Sequence, residues 1–172
     1  MGLLDILKQY ADPNSVQPDR VGGHFDEVAQ QSNPNALGDG VAAAFRSDAT
    51  PPFGQMVGDL FGRSDPQQRA GILNQILQSV GPSVLAGLGG GVLGRVLGGG
   101  AAPAGAAPTI TPEQASQVSP ADAAAIAAHA EQHDGSIVDK AGAFYAQHPA
   151  LVKSLGAAAL AIVLGRMHSG PR

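Results

Sequence analysis

His129 and His133 are the two residues of this chain best spaced for metal chemistry. They stand four positions apart in a stretch that reads as helix, which puts both imidazoles on one face, where they could hold a cation. A hydrolytic metal would need a third ligand from Glu131, Asp134, Asp139 or His148, and Glu131 points to a different face of the same helix. The plainer expectation is a solvent-facing pair near a helix C-terminus, where partial positive charge suits the dipole. A metal-dependent hydrolase built on the pair is therefore a minor alternative, and no metal or cofactor is expected.

The glycine-rich stretch VLAGLGGGVLGRVLGGG, residues 84–100, invites a phosphate-binding reading. Gly89-Gly90-Gly91-Val92-Leu93-Gly94 fits G-x-G-x-x-G, but no strand pattern precedes it and glycines followed by Pro103 end whatever comes after. The P-loop pattern fails at Arg95-Val96, where Lys and then Ser or Thr are needed. Gly90, Gly94 and Gly98 would give one smooth face on a helix, yet the apolar run is short for a bilayer span and contains Arg95. A glycine-softened helix passing into a joint is the expectation.

Other chemistries lack their residues. The chain has no cysteine, which removes disulfides, thiolate zinc sites and thiol nucleophiles together. No serine sits in a nucleophile elbow, and the carboxylates are scattered singly. The net charge is −4, and residues 1–83 carry nine Asp/Glu against five Lys/Arg. Arg46, Arg63 and Arg69 are isolated among acids, so no nucleic-acid partner is expected. Nor does any feature identify a small-molecule substrate.

The elements that must carry these residues are helical. Cap residues followed by proline recur at Asp12-Pro13, Asn33-Pro34, Thr50-Pro51, Asp65-Pro66 and Ser119-Pro120, each an expected helix start because the cap accepts an orphan N–H and proline needs no partner there. Ser119 has a capping-box partner in Asp122, and Ser136 one in Asp139. Apolar residues recur at three- and four-residue spacing: Val21, Phe25 and Val28; Leu37, Val41 and Phe45; Phe53, Met56, Val57, Leu60 and Phe61; Leu73, Ile76, Leu77 and Val80. No run alternates with period two. The fold class is all-α, two small bundles of short helices on a Gly/Ala/Pro-rich linker: residues 1–98 an N-terminal unit with a Gly-rich exit, whose short helices over about 18–82 share one core, 99–118 the linker, and 119–168 a three-helix C-terminal unit with helices over Ala121–His133, Ile137–Gln147 and Ala150–Met167.

The last of these helices carries the strongest demand. In SLGAAALAIVLGRM, residues 154–167, the span Leu155 to Leu164 is apolar on every side. Leaving Leu155, Leu160, Ile162, Val163 and Leu164 in water would forfeit about 8–15 kcal/mol. The chain's own core, a second copy or lipid must therefore cover it. Lys153 and Arg166 bracket only about 18 Å of helix, against a hydrocarbon core of roughly 30 Å, which favours protein over lipid. Leu155, Ala159, Leu160, Ile162, Val163 and Leu164 are the candidate interaction residues. Gly2–Tyr10 reads as a short amphipathic helix with Leu3, Leu4, Ile6 and Leu7 on its apolar side, and the segment lacks the basic start of a secretory signal.

The opening MGLLDIL, the segment ALGDGVAAAF and the run QILQSVGPSVLAGLGGGVLGRVLGGG together resemble the bacterial YidB-like family over residues 1–100. The resemblance implies a small helical bacterial protein with a homeodomain-like helical unit, and it carries over no functional residue. DNA binding follows only from that likeness. The function expected from the residues themselves is non-enzymatic: a cytoplasmic helical interaction protein, a homo-oligomer or the binder of a protein partner, with peripheral membrane association through the first and last helices as the alternative.

Overall fold

The computed structural model describes residues 2–12, 14, 17–80, 91–97 and 109–169. The described residues contain helices and no strand: α1 (Leu3–Ala11), α2 (Pro18–Gln31), α3 (Pro34–Phe45), α4 (Phe53–Arg63), α5 (Pro66–Ser79), α6 (Val92–Leu97), α7 (Pro112–Ala115), α8 (Pro120–His133), α9 (Ile137–Ala146), α10 (Pro149–Lys153) and α11 (Ala157–His168). The all-α class follows directly.

Helix starts follow cap chemistry. The Asn33 side chain accepts the Asn35 N–H at 2.9 Å to open α3, Asp65 accepts from Gln68 at 2.8 Å to open α5, and Ser119 accepts from Asp122 at 3.1 Å to open α8. Thr50 behaves otherwise. Its hydroxyl donates to the Ala44 and Ser47 carbonyls, closing the end of α3, and Pro51-Pro52 defers the next helix to Phe53. Asp12 is the C-cap of α1, and Pro13 lies outside the described residues. The Ser136 N–H donates to the Asp134 carboxylate at 3.0 Å rather than to Asp139, which is paired with Arg46.

All the apolar stripe residues are buried, from Val21 to Val80. They do not share one core, however. The chain divides into Met1–Pro52 with Val138–Arg172, and Phe53–Ile137, boundaries that do not coincide with the expected ones near 98 and 119.

In the first of these units the small residues of α3 let neighbouring helices come close. A Cβ at Gly38 would lie 3.2 Å from the Ala143 Cα, and one at Gly142 only 2.6 Å from the Gly38 carbonyl oxygen, so α3 and α9 nearly touch backbones. A Cβ at Gly40 would meet Val163 Cγ1 at 2.9 Å, which seats α11 on α3. Helices α1 and α2 also pack on α11, and α10 packs on α2, where Lys153 pairs with Asp26 at 2.6 Å.

The second unit is built on a seam between α4 and α8. Gly54, Gly58 and Gly62 stand four apart and face Pro120, Ala124 and Ala128, also four apart. Helix α5 packs on α7 and α8, and the Asn74 side chain donates to the Ile110 carbonyl at 3.0 Å and accepts the Ile110 N–H at 2.7 Å. Ile110, Ala115 and Val118 are consequently buried, so the later part of the expected linker is folded. Residues 99–108 of that linker lie outside the described residues, as do residues 84–90 and 98–100 of the glycine-rich stretch. Within 91–97 the expected helix is present as α6, whose Val96 carbonyl accepts from the Gln114 side chain at 3.0 Å.

The single last helix expected over Ala150–Met167 is two helices. Gly156 adopts φ +93° and ψ 171°, a conformation open to glycine alone, and separates α10 from α11. Leu155 therefore sits in the break.

Candidate interaction helix and adjoining cleft

Helix α11 has a covered side and an open one. Ala159, Leu160, Val163 and Leu164 are buried, with Val163 and Leu164 fully so, against α1, α2 and α3 of the same unit. The chain's own helices thus supply much of the cover that its apolarity demands. Leu155, Ala161 and Ile162 stay half-buried and Ala158 is exposed. From Ser154 to Gly165 no residue is charged, so the open side of α11 is apolar and small. Ile162, one of the six expected contact residues, lies on this open side rather than in the core.

Helix α1 is placed on α11 by the same means, since a Cβ at Gly165 would lie 3.1 Å from the Tyr10 carbonyl oxygen. Ile6, Leu7 and Tyr10 face inward, and the Tyr10 hydroxyl hydrogen-bonds His24 Nδ1 at 2.8 Å, with burial raising the tyrosine pKa. Leu4 does not join that apolar side. It is 67% exposed, the one large hydrophobic residue so placed among the described residues.

At the C-terminal end of α11 the first unit opens into a cleft of about 560 Å³ lined by Asp39, Ala43, Arg46, Asp139, Arg166 and Ser169. Arg46 reaches Asp139 through two parallel bonds, Nη1 to Oδ1 at 2.5 Å and Nη2 to Oδ2 at 2.9 Å. These hydrogen bonds, reinforced by the guanidinium charge, hold the Asp139 carboxyl below its ordinary range despite partial burial. The Ser169 hydroxyl donates to the Gly165 carbonyl at 3.2 Å. With two guanidinium groups and two carboxylates the lining is charge-balanced, and it contains no imidazole to activate that hydroxyl. Sequence reasoning passed over the cleft. Its residues come from positions 39–46, 139 and 166–169, and nothing within any one of those segments marks them.

His129 and His133 lie on α8 with ring centroids 4.7 Å apart and planes at 60°. Among the described residues no group of three or more metal-ligating side chains occurs. Nor does any helix among those residues have the length and apolarity to cross a membrane. No family model, curated protein or solved structure matches the chain.

Proposed function

We propose that this is a non-enzymatic helical interaction protein that self-associates through the open side of α11. The observation that supports this reading is the uncharged strip that remains after the helix has packed: Leu155, Ala158, Ala161 and Ile162 reach solvent while Ala159, Leu160, Val163 and Leu164 do not. A second copy of the same strip is its natural cover, because small residues permit close helix approach and a two-fold contact is self-complementary. The apolar payload is modest. Full burial of Leu155 and Ile162 is worth about 1.5–3 kcal/mol each, and both are already partly covered. Against the cost of association, that makes the contact weak, with dissociation at roughly 100 μM or above.

Light scattering over a concentration series tests the reading. The wild-type mass should rise toward a dimer in the upper micromolar range, and Ile162→Asp should abolish the rise while remaining folded, because its carboxylate reaches water. Val163→Asp, in contrast, buries a charge without a partner and should cost several kcal/mol. A wild type that stays monomeric at every concentration, or an Ile162→Asp variant that assembles equally well, overturns the proposal.

A membrane-peripheral role is the second reading, and the exposure of Leu4 at the start of α1 favours it. It predicts flotation with liposomes that Leu4→Asp abolishes.

A further inference from the structure

We infer that His129 and His133 form a two-imidazole clip for a divalent transition-metal ion, with copper(II) held most tightly. The inference is independent of self-association, because the clip lies on α8 and the proposed contact on α11.

The spacing of the rings carries the argument. Imidazole nitrogens bind such metals at about 2.0–2.1 Å, so each ring centroid lies roughly 3.2 Å from the ion. Two rings meeting at angles between square and tetrahedral then have centroids about 4.5–5.2 Å apart. The observed separation is 4.7 Å, within that range. Among the described residues no hydrogen bond occupies their ring nitrogens, in contrast to His24, whose Nδ1 is bonded to Tyr10.

The backbone beneath the clip is fixed and its face is open. Ala123, Ile126, Ala127 and Ala130 anchor α8 in its unit, and the Asp134 N–H closes the last turn on the Ala130 carbonyl at 2.8 Å. His133 is exposed and His129 half-buried, on the same side of the helix as exposed Ala121 and Ala125, whose methyl groups leave room for an ion and its waters. The position at the helix C-terminus also favours a cation, since the carbonyl ends carry partial negative charge.

Ligand chemistry sets the metal class. Two neutral nitrogens suit copper(II), nickel(II) and zinc(II), and the order of divalent affinities places copper first. With no third protein ligand among the described residues, water completes the coordination, so the ion is held in exchangeable form with open positions.

The full chain, prepared without a histidine tag, is titrated with copper(II) by calorimetry, and the bound ion is examined by electron paramagnetic resonance. One equivalent should bind with coupling to two imidazole nitrogens. His129→Ala and His133→Ala should each lower the affinity about tenfold or more and remove one of the couplings. Alanine at these helix positions preserves folding, which circular dichroism verifies. His168→Ala and Ile162→Asp should bind copper as the wild type does, the latter showing that loss of self-association leaves the clip intact. Unchanged affinity and coupling in both the His129→Ala and His133→Ala variants, or a wild-type spectrum with a single imidazole nitrogen, overturns the inference.

Discussion

Replacing Gly58 by alanine tests whether close approach, rather than apolar area, holds α4 to α8. The added Cβ would lie 2.7 Å from the Pro120 carbonyl oxygen and 2.9 Å from the Ala124 Cβ. Both of those atoms belong to the α8 backbone or are fixed directly to it, so no side-chain rotation relieves the clash. The helices must part by roughly half an ångström, which forfeits a quarter to a half of the dispersion attraction at each contact along the seam. Overpacking of this kind costs about 1–3 kcal/mol, against which alanine regains about 0.5–1 kcal/mol of helix propensity. The expected net loss therefore runs up to about 2.5 kcal/mol and centres a little above 1 kcal/mol. Gly62→Ala is the control on the same seam, because its Cβ would meet only the Pro120 ring, at 3.3 Å. Gly23→Ala is the control in open space and should gain about 0.5–1 kcal/mol, since nothing lies within 4 Å of its Cβ. Urea unfolding followed by far-UV circular dichroism reads all three. A Gly58→Ala midpoint at or above wild type, alongside the expected gain for Gly23→Ala, would refute the reasoning.

Tyr145→Phe should leave stability unchanged or raise it by about 1 kcal/mol, because the Tyr145 hydroxyl is buried without a hydrogen-bond partner among the described residues. Its ring stays wedged edge-on against Phe45 and Phe144 in either case. Burial raises the Tyr145 pKa above its ordinary 10.0, so the folded state holds the proton that the unfolded chain releases, and stability should fall as pH climbs past that value. Thermal melts of the phenylalanine variant should show a smaller alkaline loss than those of the wild type. For Asp139 the sign reverses. Its folded pKa is depressed by Arg46, so the pair stabilises above the ordinary value of 3.8 and its contribution disappears as pH falls through the lowered one. Both side chains are about half exposed, so Arg46→Ala should cost at most about 1 kcal/mol at neutral pH, less in high salt, and nothing in strong acid.

What could be read from the sequence was what one or two turns of helix contain. The apolar stripes, the caps at Asn33, Asp65 and Ser119, and the His129–His133 pair are all set by residues three or four apart. Each is where the spacing puts it. Helix pairing was illegible for a different reason. Hydropathy marks the side chains that seek cover, but the partners here are selected by side chains that are missing. Gly54 and Gly58 admit Ala124 and Ala128, Gly40 admits Val163, and Gly142 admits Gly38. An apolar stripe can sit against many surfaces, whereas a helix that approaches to backbone contact needs a partner with small residues in matching register. The glycine spacing 54, 58, 62 against 120, 124, 128 was the available signal, since it repeats at the period of a helix face.

The same reasoning explains the fate of α11. Its apolarity required cover of some kind, and the energy at stake made that certain before any partner was known. Which cover it found was decided by Gly40, more than a hundred residues earlier, where the lack of a side chain leaves space for Val163. Once α3 takes Val163, the geometry of a helix turns Ile162 and Ala158 away from that contact, because residues one apart differ by about 100° around the axis. The open strip is thus a consequence of the intramolecular fit. A larger residue at position 40 would disturb both sides of α11 together, the buried one directly and the open one through its changed orientation.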